Sequence, residues 1–468
     1  MTGPGRDDFT ELEAMFGRPR PDASARPHPR GSQPIESAPH DPPVVSAADV
    51  AAARKRRNRR RAVAASVGLV IVAIVGTYIP VTLLAPVPAP TVALSTPTVA
   101  LPTQAALSLP PTMESAVSIT GGDDFEALTG SKEMVGTSGG DTALPIASIS
   151  KLISALVILE RKPLSSVDDA GPTLTFSKAD HDLYDKYYVL GASIQPMKTG
   201  SQMSERDVMK TMLIVSACNY AEAVSDWAFG SQTAFLAAAR KWLAANGLSH
   251  TKMVEPTGLD ARNTSTPGDL ITLGKLAMAN PAVARIVAQR VLTGPNVQGM
   301  ANTNDLLGTD GITGIKTGTL AQGSDLLFSA TLDVGAAKPL SVIGVILGGA
   351  SHDSVDGHVT SLLASIKAGF HPVTLGTRGQ VVGTYSTPWG ASARMVLDHD
   401  ASVLTWSDTP VTAKLTTSAL RTGADGEKVG TVTWTAGAST VSMPLVLKGR
   451  ITPPTAWWRL THPFELGT

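Results

Sequence analysis

The chain has 468 residues, which exceeds one typical domain and predicts two or three folded units with additional tails. Its 39 lysines and arginines balance 39 acidic residues, so no overall positive field is available to attract nucleic acid. A single cysteine, Cys218, excludes an intrachain disulfide, and the folded parts must therefore be stable through core packing alone.

The first charged feature along the chain is a basic block at residues 54–61, with the sequence RKRRNRRR. An apolar stretch at 62–85 follows it directly and is long enough for a transmembrane helix, which needs about 20 residues. Because basic residues favour the cytoplasmic side of a span, this order predicts a cytoplasmic N-terminus and an extracytoplasmic C-terminal part. A cleaved signal peptide fits less well, since a long polar segment precedes the stretch. A nucleic-acid patch formed by the arginines leaves the adjoining apolar stretch unexplained.

The segments on either side of this span are predicted to lack regular structure. Residues 1–61 are rich in Pro, Arg, Ala, Ser and Asp, a composition typical of a disordered tail. Residues 86–114 repeat Pro, Thr, Ala and Leu, which favours an extended linker that holds a domain away from the membrane.

Residues 115–372 mix helical and strand patterns and are predicted to form the main domain. A capping sequence at 204–207 predicts a helix over 205–215, and a second helix is predicted at 357–370. Successive strands are predicted in three apolar runs separated by turns: 311–318, 326–332 and 340–347. Separate runs of strands and helices predict an α+β fold, an antiparallel sheet flanked by helices.

Residues 373–468 change in character. Short alternating runs such as GTVTW and TVSMPLVL stand between glycines and charged residues, without a long helical pattern. This pattern predicts a small C-terminal β-domain.

The pair Ser148 and Lys151 is the first candidate for chemistry. On a helix these positions lie one turn apart on the same side, so an amine can lie beside a hydroxyl. A serine is a poor nucleophile until a base accepts its proton, and a partly desolvated lysine can be that base. Apolar residues at the spacing of one buried helix face follow: Leu152, Ala155, Leu156 and Leu159.

Two further motifs follow along the chain. Ser216 lies in VSACNYAEA at the end of the helix predicted at 205–215, and Lys316 opens KTGT between two strand-like runs. The chain resembles the D-alanyl-D-alanine carboxypeptidases of the low-molecular-mass penicillin-binding class. The resemblance is carried by S-x-x-K, a serine-centred motif and K-T-G in this order, and by the phrases EPTGLDARNTSTPGDL and NTNDLL. The resemblance covers roughly residues 115–370, with a looser match beyond.

The resemblance implies an acyl-enzyme mechanism at a bacterial membrane, on peptidoglycan stem peptides that end in D-Ala-D-Ala, with no metal or cofactor. Ser148 would attack the carbonyl between the two D-alanines, Lys151 would accept its proton as a neutral amine, and Ser216 would relay a proton to the leaving amine. Four residues would bind the terminal carboxylate and the substrate backbone: Lys316, Thr317, Gly318 and Thr319. β-Lactams would acylate the same serine and leave slowly.

Two positions leave an alternative open. The family's second motif is Ser-x-Asn, but here Cys218 stands at the third position and Asn219 follows it. Either the thiol occupies the asparagine position or a shifted loop brings Asn219 there. A second K-T-G begins at Lys198, just before the capping sequence; since the third motif needs a strand beside the nucleophile, the prediction favours Lys316.

Three other functions use parts of the same pattern. A class A β-lactamase would need a deacylating glutamate, for which Glu255 is the candidate, although its surroundings match the carboxypeptidase loop. An endopeptidase acting on wall crosslinks would use the same residues as a carboxypeptidase. A catalytically weak wall-binding scaffold would be consistent with Cys218, but it would not require Ser148, Lys151, Ser216 and Lys316 together.

Overall fold

The structure, a computed structural model, describes residues 46–294 and 297–467. Within this part the chain forms two compact units, which divide between Pro80 and Val81. Most of the tail predicted at 1–61 lies outside the described residues.

The helices and strands are numbered in chain order. The described helices are α1 (Ala47–Leu84), α2 (Asp123–Thr129), α3 (Ser150–Arg161), α4 (Lys178–Val189), α5 (Glu205–Ile214), α6 (Cys218–Phe229), α7 (Gln232–Ala245), α8 (Pro267–Ala279), α9 (Pro281–Val287), α10 (His352–Ala368) and α11 (Ala456–Thr461). The described strands are β1 (Thr91–Leu94), β2 (Glu114–Thr120), β3 (Glu133–Ser138), β4 (Leu144–Pro145), β5 (Thr173–Thr175), β6 (Gln202–Ser204), β7 (Thr264–Ser265), β8 (Val291–Gly294), β9 (Val297–Ala301), β10 (Ile312–Leu320), β11 (Gly323–Leu332), β12 (Leu340–Gly349), β13 (Phe370–Gly376), β14 (Val381–Ser386), β15 (Ser392–Leu397), β16 (Ala401–Trp406), β17 (Val411–Thr417), β18 (Lys428–Ala436) and β19 (Ser439–Lys448).

The apolar stretch lies in the long helix α1, which has the length and hydropathy of a membrane span. The helix begins at Ala47, well before the predicted start at residue 62. Residues 47–61, which the sequence places in the predicted tail, are thus helical in the structure. Alanine and arginine are among the strongest helix formers, and a helix already nucleated at its apolar end extends through them.

The segment predicted as a free linker, residues 86–114, lies against the folded part of the chain. Strand β1 pairs antiparallel with β14 of the C-terminal sheet. Further along, the Ala105 N–H donates to Ser407 Oγ (2.9 Å) and the Ser108 N–H donates to Ser365 Oγ (2.9 Å). An extended backbone next to an open sheet edge can pair with it, and β1 does so here.

The main sheet has the strand order β10-β11-β12-β2-β3, and every neighbouring pair is antiparallel. Alternate residues of β11 point to opposite faces: Leu327 enters the core with α3, α5, α6 and α8, whereas Phe328 enters the core with α10. The sheet is thus covered by helices on both faces, which confirms the predicted α+β arrangement.

Helix α3 is the centre of the larger core. Every residue from Ser150 to Leu159 is buried, so the helix is enclosed on all sides and not on one face alone. A helix buried all round has little freedom to shift. It therefore holds the side chains at its N-terminal end in fixed positions.

The C-terminal part forms a second sheet, with the order β1-β14-β15-β19-β18-β17, beside a β13–β16 pair. Its core contains Tyr385, Met395 and Trp434, each almost fully buried. The predicted C-terminal β-structure is present, and it also includes strand β1 from the N-terminal side.

Candidate active site

A cleft of about 490 Å³ lies where strand β10, the free edge of the main sheet, faces the start of α3 and the turn between α5 and α6. The cleft is lined by four residues of the predicted motifs and by Cys218, one of the two candidates for the third position of the second motif. The four motif residues are Ser148, Ser216, Thr317 and Thr319. The two predicted lysines, Lys151 and Lys316, lie beneath this surface and are almost fully buried. Residues more than 160 positions apart therefore meet in one place.

Ser148 lies in a 3-10 turn (Ala147–Ile149) just before α3. Ala147 has φ 45°, a left-handed conformation that residues other than glycine rarely adopt. The turn is fixed from outside, because Gly258 packs so closely that a Cβ there would lie 1.7 Å from the Ala147 carbonyl oxygen. Local strain of this kind persists only where surrounding structure enforces it.

The amine of Lys151 has three partners. Its Nζ lies 2.9 Å from Ser148 Oγ, 3.3 Å from Cys218 Sγ and 2.6 Å from the Thr257 carbonyl oxygen. Lys151 is fully buried, so no bulk water competes for these contacts. The geometry suits proton transfer between the serine hydroxyl and the amine.

The second motif forms a tight turn between α5 and α6. Ser216 has φ 63°, and Cys218 begins α6 with its backbone N–H donating to the Ser193 carbonyl (2.8 Å). The Cys218 side chain faces Lys151 and lines the cleft. It thus lies where the second motif meets the general-base candidate.

Asn219 is turned away from the cleft and is fully buried. Its Oδ1 accepts from the Gln195 N–H (3.1 Å), and its Nδ2 donates to the Gln195 carbonyl (2.7 Å). This side chain fastens the loop before β6 to α6. Of the two alternatives that the sequence left open, the structure places Cys218 at the cleft.

Lys316 lies on β10 behind the cleft surface. Its Nζ donates to Thr303 Oγ1 (3.3 Å) and the Thr317 carbonyl (3.2 Å), and Thr317 Oγ1 donates to Thr303 Oγ1 (2.6 Å). Burial, together with the neighbouring Lys151 amine, lowers the pKa of Lys316 to about 7. A bound anion would favour the charged form of this amine.

Gly318 allows β10 to run directly beside the nucleophile turn. A Cβ at this position would lie 3.0 Å from both Ala147 Cβ and the Ile146 carbonyl oxygen, and 2.9 Å from Asp325 Oδ2. Any larger residue would force the strand away from Ser148. The glycine of the third motif is therefore required by packing at the site.

The other K-T-G lies outside the cleft. Lys198 is exposed, and Gly200, with φ 75°, completes a turn in which the Ser201 N–H donates to the Lys198 carbonyl (3.0 Å). Lys198 does not line the cleft. The structure thus gives the two K-T-G tripeptides different environments.

Glu255, the candidate for a deacylating base, is engaged elsewhere. Its carboxylate accepts the backbone N–H groups of Thr257 and Gly258, both at 2.6 Å, and the Asn263 amide at 3.1 Å. These bonds hold the loop whose Thr257 carbonyl contacts Lys151. The carboxylate shapes the loop instead of facing the cleft.

The sequence of residues 131–351 matches the peptidase S11 family model, described as D-alanyl-D-alanine carboxypeptidase. The match contains all three motifs, in the order in which the fold brings them together. Residues 131–351 form a domain of the D-alanyl-D-alanine carboxypeptidase family.

The curated relatives include proteins named as endopeptidases and proteins named as carboxypeptidases. A D-alanyl-D-alanine endopeptidase of Pseudomonas aeruginosa is 33% identical over 134 residues, covering 28% of this chain and 39% of its own. The D-alanyl-D-alanine carboxypeptidase DacC of Escherichia coli is 31% identical over 163 residues, covering 34% and 39%. The chain spans less than half the length of these curated relatives. Penicillin-binding protein 5 of Haemophilus influenzae, a solved structure, aligns over 76% of this chain and 100% of its own, with 18% identity and a TM-score of 0.47.

Three of the cleft-lining residues that sequence reasoning did not single out are Thr303, Asp305 and His352. Thr303 and Asp305 lie in the NTNDLL phrase. This phrase carried part of the family resemblance, but it did not indicate which residues these two side chains contact. His352 lies in no motif. Only the packing of α10 against the sheet brings it to the cleft.

Proposed function

We propose that this protein is a membrane-anchored serine D-Ala-D-Ala carboxypeptidase that trims peptidoglycan stem peptides through an acyl-enzyme on Ser148. The observation that carries the proposal is the buried Lys151 amine, 2.9 Å from Ser148 Oγ, at the base of a cleft bounded by β10. Membership of residues 131–351 in the carboxypeptidase family supports the same chemistry.

Acylation forms an ester bond to Ser148 and breaks the peptide bond between the two D-alanines. Ser148 Oγ attacks the carbonyl carbon between the two D-alanines, and its proton passes to neutral Lys151. Backbone N–H groups of Ser148 and Thr319 stabilise the oxyanion. When the C–N bond breaks, Ser216 relays a proton to the leaving amine, and water then hydrolyses the ester on Ser148. A β-lactam forms the same ester and leaves slowly.

The leaving D-alanine is held by its carboxylate. Lys316 supplies the charge, Thr317 and Thr319 supply hydroxyl donors, and Gly318 lets the peptide run along the edge of β10. The free edge position of β10 in the described sheet supports this binding mode.

A DD-endopeptidase is the second candidate, because the P. aeruginosa relative carries that name. The same groups would cleave a crosslink in which the leaving amine belongs to a neighbouring stem peptide. Purified stem pentapeptide and crosslinked muropeptide, offered separately, distinguish the two reactions by which product accumulates.

The nucleophile is tested with Ser148→Ala in the full-length protein. We expect complete loss of covalent labelling by fluorescent penicillin, while the thermal unfolding curve stays near that of the wild type, since the half-buried Ser148 loses only its hydroxyl. Labelling of the variant at the wild-type level would remove Ser148 from its role. A wild-type protein that takes up no label would instead favour the wall-binding scaffold.

For the membrane, we propose that α1 spans the bilayer with the basic block on the cytoplasmic side. Basic residues precede the apolar part of α1, and this order supports the orientation. Protease added to intact cells should digest residues after the span and spare the N-terminal tail. Digestion of the tail alone would reverse the proposed orientation.

A further inference from the structure

His352 lines the cleft but belongs to none of the three motifs. It is the first residue of α10, directly after Ser351, whose hydroxyl accepts the Ser354 N–H and begins the helix. Its Nε2 lies 2.6 Å from Thr319 Oγ1. The side chain therefore acts directly on the last residue of the K-T-G-T segment.

The direction of this hydrogen bond decides what Thr319 can offer to a ligand. When Nε2 lacks a proton, the Thr319 hydroxyl must donate to the ring, and its only proton is used. When Nε2 carries a proton, the ring donates to Oγ1 and the hydroxyl proton is free for another acceptor. The histidine cation has protons on both ring nitrogens, so it always holds Thr319 in the second arrangement.

Several carboxylates lie near His352. Asp353 is its neighbour on α10, Asp356 lies one turn further along, and Asp305 faces this region from the other wall of the cleft. On the sheet side, Lys316 of the site is buried. An incoming carboxylate meets Asp305 at the cleft surface, and a charged His352 would offset that repulsion.

We propose that His352 is a specificity-determining residue for ligands with a free carboxylate, and that its protonated form orients the Thr319 hydroxyl toward that carboxylate. The inference rests on the proposed function, since it concerns the same acylation site. Carboxylate recognition should then be strongest when the ring carries both of its protons.

The test compares two probes that differ only in the carboxylate: benzylpenicillin and its methyl ester. The second-order acylation rate constant of the full-length protein in detergent is measured for each, and their ratio cancels effects common to both probes. His352→Ala should lower the benzylpenicillin rate roughly tenfold and leave the ester rate near that of the wild type. His358→Ala, a histidine further along the same helix that does not line the cleft, is the matched control and should change neither rate.

The variant His352→Gln separates the effect of a hydrogen bond donated to Thr319 from the effect of a change in the charge of residue 352. Its amide can donate to Thr319 at every pH, so the ratio should stay within a few-fold of the wild type near pH 7.5. Lys316 also gains charge as the pH falls, and both proteins share that contribution. The wild-type ratio should therefore rise more steeply than that of His352→Gln as the pH is lowered.

Two results would overturn the inference while the proposed function stands. One is an equal loss for both probes in His352→Ala. The other is an identical pH dependence of the ratio in the wild type and His352→Gln, with Ser148 labelled normally. Failure of benzylpenicillin to acylate the wild type at any pH would overturn the inference and the proposed function together. Thermal unfolding of each variant shows whether a lower acylation rate is caused by misfolding. If His352→Ala misfolds, the comparison of the wild type with His352→Gln decides the outcome.

Discussion

The tripeptide K-T-G occurs twice in this chain, in environments that differ in every respect relevant to chemistry. At 316–318 it lies on β10, with the lysine buried, a second lysine amine nearby and the glycine packed against the nucleophile turn. At 198–200 it forms an exposed turn, and its glycine has open space around it.

The difference shows that identical residues acquire a function only from their surroundings. Desolvation beside Lys151 brings the pKa of Lys316 to about 7, where a bound anion can change its charge. Lys198 projects into solvent, where a salt bridge to a ligand is worth little. Three predictions can break or sharpen this comparison.

The largest expected effect is on acylation by ligands with a free carboxylate. Lys316→Ala should lower the acylation rate by benzylpenicillin about 10-fold to 100-fold, since a charge-assisted hydrogen bond inside a cleft contributes roughly 1.5–3 kcal/mol. Lys198→Ala, its matched control, should stay within a factor of two. Equal losses in the two variants would show that the wrong tripeptide has been assigned to the site.

The second prediction concerns the free energy of unfolding as a function of pH. The pKa of Lys316 is depressed in the folded state, so between about pH 7 and 10 the unfolded state binds more protons and stability rises with pH. Relative to Lys316→Met, the wild type should gain up to about 1.4 kcal/mol per pH unit in this window. Urea unfolding at several pH values measures it, with Lys198→Met as the control that should run parallel to the wild type. A constant gap between the wild type and Lys316→Met would contradict the buried-amine account.

The smallest effect is expected at another pair of neighbours, Cys218 and Asn219. Cys218→Asn should preserve or raise the rate of penicillin acylation several-fold, because one neutral hydrogen bond contributes roughly 0.5–1.5 kcal/mol. Asn219→Ala should leave that rate near the wild type but lower the free energy of unfolding by about 1–3 kcal/mol, since two backbone groups of Gln195 lose their partner. Measuring rate and stability on both variants separates the roles. A large loss of rate in a stably folded Asn219→Ala would contradict this assignment.

Several parts of the fold were predictable from local patterns. The helix predicted at 205–215 is observed at Glu205–Ile214, where the Ser204 hydroxyl accepts the Asp207 N–H as its cap. The three predicted strands are present as β10, β11 and β12, each within a few residues of its predicted range. The helix predicted at 357–370 begins five residues earlier, at His352, because the Ser351 cap was not recognised.

The sequence by itself determined which residues could do the chemistry. The spacing of Ser148 and Lys151 places hydroxyl and amine one turn apart, and the order of the three motifs carries the family resemblance, because both are local properties of the chain. The tertiary structure alone decided that Cys218 faces Lys151 while Asn219 fastens a loop, and that His352 contacts Thr319. These contacts join residues 24 to 67 positions apart in the chain, and the adjacent side chains of Cys218 and Asn219 point in opposite directions. They depend on how α6 packs against α3 and on how α10 packs against the main sheet, and no local pattern encodes that packing.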